Sequence, residues 1–200
     1  MEIEFLNSGK FPQTLIDDIK KCWGSHPLSK LIDRGLGDTV NLSIVNGNGF
    51  SVNSSHYPLV VLKIDPEYYL VNDIGFCPII LHEFSHLIDK LNNSFMGNFS
   101  IKEFDNLVLD LHDSNFHVWK SFIAFWDAFI DGRLLRRNIR VHEFEERLED
   151  LIGTYKFKLH PDEAMIRIYQ IPLKEVWDSE NITAINLFQL CEKYPYIKDN

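Results

Sequence analysis

Apolar residues recur along residues 78–91 at helical spacing. Ile79, Ile80, Leu81, Phe84, Leu87, Ile88 and Leu91 predict a buried amphipathic helix. Before it, residues 12–23 and 27–34 read as two short helices, each opening with a proline whose missing N–H costs nothing there. Alternation over residues 40–45, the Asn46-Gly47-Asn48-Gly49 turn signal and residues 50–52 predict a β-hairpin, and the apolar run 59–64 a further strand. Residues 92–111, rich in Asn, Ser and Phe, read as a long loop with one short strand at 107–111. A long helix is predicted over 116–137, with Phe116, Trp119, Phe122, Ile123, Trp126 and Ile130 on its apolar side, and three or four more helices over 141–194. The pattern is α+β: a small antiparallel or mixed sheet, then the 78–91 helix, then a mainly helical C-terminal half.

Composition fits one domain spanning residues 1–200. The chain is 45% hydrophobic and 13% aromatic, enough to build a core, and no linker-like run divides it. No apolar stretch approaches the ~18 residues of a membrane span. The formal net charge is -9, which argues against nucleic acid and anionic membranes as partners. The basic cluster Arg133, Arg136, Arg137 and Arg140 falls near a predicted helix C-terminus, where cations suit the helix dipole. Cys22, Cys77 and Cys191 are odd in number and lack metal-ligand spacing, and the first residues show no basic-then-apolar export pattern. Free thiols and a cytoplasmic location are therefore expected.

Chemistry is concentrated in His82-Glu83-Phe84-Ser85-His86. On a helix, residues i and i+4 share a face, so His82 and His86 can hold one Zn2+ while Glu83 reaches the open coordination position as general base. His142-Glu143-Phe144-Glu145-Glu146 begins alike but has Glu in place of the second His, and reads as a solvated acidic face.

The third ligand is open between two sets. His112 precedes Asp113 and Ser114, either of which would cap the long helix and fix the imidazole at its entrance. Asp127 and Asp131 lie four apart on one face of that helix. His117, His142 or no third protein ligand complete the field. Asp89 stands where a metzincin has Gly, and is expected to be either an acid supporting the site or a helix-surface acid.

HExxH at residues 82–86 followed by His-x-x-x-Phe at 112–116 resembles the SprT-like zinc metallopeptidases of the zincin superfamily, over residues 78–119. That resemblance implies zinc on His82, His86 and His112 with Glu83 as general base. The Asp127/Asp131 spacing is similar instead to the acidic helix of minimal gluzincins. There the first acid binds zinc and the second orients a histidine, although this chain has Asp where that family has Glu.

The expected activity is hydrolysis of a peptide or protein substrate. Residues 59–64 would receive the substrate by edge pairing, and His117, His142, Tyr155 or Tyr169 would steady the oxyanion. The alternative is a catalytically latent zinc-binding protein with a regulatory or interaction role.

Overall fold

The computed structural model describes residues 2–5, 11–29, 39–46, 51–56, 59–64, 76–152 and 163–196. Its elements group into two compact units, Met1–Asn93 with Asn98–Asp105, and Ser94–Gly97 with Asn106–Asn200. The class is α+β.

The first unit contains a four-stranded mixed sheet built from β1 (Glu2–Phe5), β2 (Thr39–Asn46), β3 (Ser51–His56) and β4 (Leu59–Ile64), in the order β1-β2-β4-β3. β1 runs parallel to β2, and α1 (Gln13–Gly24) lies in the connection between them. β2 runs parallel to β4, so that Ile44 sits opposite Leu62, and both are fully buried. β3 runs antiparallel to β4 at the edge.

The expected hairpin between β2 and β3 is therefore not made. β4 takes the place between them, because its apolar run supplies an interior strand that can be covered from both sides. Residues 47–49 of the expected turn, residue 50 of the strand after it and residues 30–34 of the second short helix lie outside the described residues.

α1 opens one residue later than its proline, with Pro12 as the N-cap in an extended conformation. Leu15, Ile16, Ile19, Cys22 and Trp23 form its buried face. It packs on α2 (Phe76–Lys90), where the Trp23 and Phe84 rings meet edge to face at 4.8 Å. α2 also lies beside β3.

Residues 92–111 are helical rather than a loop with a strand. α3 (Asn93–Met96) is a single turn, and α4 (Ile101–Ser114) is a full helix. Ser100 and Glu103 form a reciprocal cap at its start: the Ser100 hydroxyl accepts the Glu103 N–H at 3.2 Å, and Glu103 Oε2 accepts the Ser100 N–H at 2.8 Å. The Ser100 hydroxyl, donating to Glu103 Oε2 at 2.7 Å, and then the Ser100 N–H draw the Glu103 carboxyl below its ordinary value. Ile101 and Phe104 are buried, and Lys90 reaches Asp105 at 2.6 Å.

The second unit is helical among the described residues. α5 (Phe116–Leu135) is flanked by α6 (Phe144–Ile152), α7 (Glu163–Asp178) and α8 (Ala184–Lys193). Burial on α5 covers far more than one apolar side. Phe122, Phe125, Ala128, Phe129, Ile130 and Leu134 all have essentially no exposure, consistent with a helix enclosed by three others. Phe122 stacks on Phe188 of α8 at 4.5 Å, and Phe95 stacks on Trp126 at 5.5 Å.

α7 crosses α5 so closely that a Cβ on Gly132 would fall on the Trp177 carbonyl oxygen. The basic cluster at the end of α5 is structural. Arg133 is buried with its guanidinium 3.8 Å above the Phe129 ring, while Arg136 and Arg137 both bind Glu180.

Candidate metal site

α2 is buried along most of its circumference, and its exceptions beyond the first turn fall in register. Ile79, His82, Glu83 and His86 are partly exposed, whereas Ile80, Leu81, Phe84, Ser85, Leu87 and Ile88 are buried. Spacings of three, four and seven residues place the four on one stripe. The HExxH side chains thus occupy the stripe of an otherwise buried helix that solvent can reach. The His82 and His86 rings lie 5.1 Å apart, edge to face.

The helix is anchored from behind this stripe. His26, buried just after α1, donates from Nε2 to the Leu81 carbonyl at 2.8 Å and accepts the Leu28 N–H at Nδ1. Ser85 donates to the same carbonyl at 2.8 Å. These contacts require the neutral Nε2–H tautomer of His26. They fix the backbone one residue before His82, and neither His26 nor Ser85 was singled out from the sequence. Asp89 is fully buried, which excludes a helix-surface acid.

On α5, Asp127 is partly exposed and Asp131 is fully buried, one turn apart. Arg147 of α6 joins them, donating from Nε to Asp131 Oδ2 at 2.6 Å and from Nη1 to Asp127 Oδ2 at 3.4 Å. Burial disfavours the Arg147 charge, but Asp127, Asp131 and Asp150 outweigh it and raise its pKa. Arg147 was missed in the sequence because its partners lie on a different helix.

His112 has a different setting. It lies in the last turn of α4 rather than at the entrance of α5, and the cap of α5 is Asn115, whose side chain accepts the Val118 N–H. Its imidazole is exposed, bonded through Nδ1 to Asp113 at 2.9 Å, and packed edge-on against Trp119 at 4.7 Å.

Three of the oxyanion candidates have partners of their own. His117 donates from Nδ1 to the Tyr196 carbonyl, Tyr169 donates its hydroxyl to the Pro195 carbonyl, and His142 pairs with Glu146. Tyr155 lies outside the described residues. The strand proposed to receive substrate, β4, is paired on both sides and offers no free edge; the sheet ends at β3 instead. No helix among the described residues is long and apolar enough to cross a membrane.

The chain matches no protein-family model, no curated protein and no solved structure.

Proposed function

We propose that the chain is a metal-dependent peptidase in which His82 and His86 bind the ion with a third ligand from His112, Asp127 or Asp131, and Glu83 is the general base. One observation carries this reading: His82, Glu83 and His86 share the accessible stripe of α2, with the two imidazole rings 5.1 Å apart. Two imidazoles one helical turn apart are a donor pair suited to zinc, and three protein ligands leave a coordination position open. Bound there, zinc would lower the pKa of a water toward ~7 and polarise the scissile carbonyl.

Glu83 neighbours His82 on the same accessible stripe. It takes the proton of the attacking water and returns it to the leaving amine. The edge strand β3, antiparallel to β4 and beside α2, is the sheet element placed to hold an extended peptide. The SprT-like resemblance would make His112 the third ligand, and the gluzincin resemblance Asp127 or Asp131.

Zinc content of purified single variants tests the site. His82→Ala and His86→Ala should each lose the metal after dialysis against a mild chelator, and whichever of His112→Ala, Asp127→Ala and Asp131→Ala also loses it names the third ligand. A metal-replete His82→Ala or His86→Ala protein would overturn the assignment.

A second reading, a latent zinc protein that binds partners without cleaving them, draws support from the grip of Arg147 on Asp127. It predicts stoichiometric zinc without hydrolysis of an unstructured protein such as casein.

A further inference from the structure

Cys22 and Cys77 are distant in sequence but adjacent in the fold. Cys22 lies on the buried face of α1, Cys77 in the first turn of α2 with partial exposure, and the two helices pack together. Four residues on from each, His26 bonds the Leu81 carbonyl at 2.8 Å, and the Cys22 and Cys77 side chains interact across the same interface. No disulfide joins them. Burial first, and then the contact with Cys77, push the Cys22 thiol well above its ordinary value, so Cys22 is held protonated and away from reagents. Cys77 is where a small oxidant can enter. The chain between them contains β2, β3 and β4, so a bond between the two sulfurs would enclose most of the sheet.

We propose that Cys22 and Cys77 form a redox-responsive dithiol that a small disulfide of the glutathione type converts to an intramolecular disulfide, stapling α1 to the start of α2. In the first step the Cys77 thiolate attacks one sulfur of the small disulfide, forming a mixed disulfide and expelling one small thiolate. Cys22 then loses its proton, attacks the Cys77 sulfur, and expels the second small thiol. The small disulfide is reduced to two thiols, and the protein loses two hydrogens. Because the helix so fixed carries His82, Glu83 and His86, the staple would report the redox state of the surroundings to that stripe. The proposal stands on the cysteine pair alone, whatever the site on α2 binds.

Cys191 is an internal reference. Its thiol donates to the Phe188 carbonyl at 3.0 Å, and burial pushes it up to about 12. The full-length protein is incubated with oxidised glutathione, quenched in acid, alkylated and mapped by mass spectrometry. A peptide linking Cys22 to Cys77 is expected, with alkylation of Cys77 reduced at least ~10-fold, Cys191 unchanged, and full reversal by dithiothreitol. In Cys22→Ser, which removes the resolving thiol, Cys77 should instead retain one glutathione. In Cys77→Ser, Cys22 should stay unmodified. If the parental protein keeps three alkylatable thiols at a tenfold excess of oxidised glutathione, or if Cys191 reacts ahead of Cys77, the proposal is wrong. That mapping on the parental protein decides the matter even where a variant fails to fold.

Discussion

Arg147 and Asp131 form an ion pair in which neither charge is well solvated: the Nε–Oδ2 distance is 2.6 Å, and the Asp131 side chain has no exposure. Such a pair contributes little against an apolar replacement but leaves a costly charge behind when one member is removed. Arg147→Met should therefore destabilise the protein by ~3–5 kcal/mol. The double variant Arg147→Met/Asp131→Asn should recover part of that loss. Urea denaturation of Arg147→Met, Asp131→Asn, the double variant and the parent measures the coupling; additive losses would contradict it.

Glu83 serves proton transfer in the proposed peptidase and binds no metal. Glu83→Gln should keep zinc at the parental stoichiometry while hydrolysis of casein falls by ~100-fold or more. Equal rates for variant and parent would remove Glu83 from the mechanism.

Gly132 is required by the approach of α7. Because its Cβ would meet the Trp177 carbonyl, Gly132→Ala forces the helices apart or distorts the backbone, at about 1–3 kcal/mol, despite the better helix propensity of alanine. Gly24→Ala, where a Cβ meets nothing within 4 Å, is the control. The comparison is a pair of thermal melts, and a parental Tm for Gly132→Ala would show that the contact is slack.

Glu180 holds the acid limb of stability in the second unit. Its hydrogen bond with Arg137, then that with Arg136, draws its carboxyl from 4.5 to about 2. A carboxyl lowered on folding stabilises the native state above its unfolded value and loses that contribution as pH falls through the folded one. The window is thus about pH 4.5 down to about 2. The group is about half exposed, so solvent screening limits the effect to ~1 kcal/mol or less. Glu180→Gln should lower stability at pH 7 by ~1 kcal/mol or less and converge with the parent as pH falls to about 2, flattening the pH dependence across that window. An unchanged acid limb would mean that other carboxylates carry it.

Much of this architecture was legible from spacing. Residues 78–91 read as a helix because their apolar positions repeat at helical intervals, and the same periodicity places His82 and His86 on one face. α4 was missed because Asn92, Asn93, Ser94, Asn98 and Ser100 dominate the start of the stretch and favour turns. The signal that would have found it is Ser100 followed by Glu103, a capping pair placed just before the apolar positions Ile101 and Phe104. The hairpin reading failed for a different reason. The Asn46–Gly49 signal is local, whereas strand order is decided by which strand can be covered on both sides, and the near-continuous apolar run of β4 met that demand. The grip of Arg147 on Asp127 and Asp131 and the contact of Cys22 with Cys77 join separate helices, which no periodicity reports.

The place of β4 between β2 and β3 sets the order in which this sheet can assemble on the ribosome. β2 is made before both of the strands beyond it, and its inner neighbour β4 is the last strand of the sheet to be synthesised, after β3. Only β3 and β4, joined by two residues, can zip locally, and the pair must then dock as a ready-made unit along β2. Until that docking, β2 presents a bare flank to any other extended chain. The nascent protein is therefore most vulnerable to aggregation after Asn46 has emerged and before Ile64 has, and a translational pause that holds the chain at that stage should lower its soluble yield.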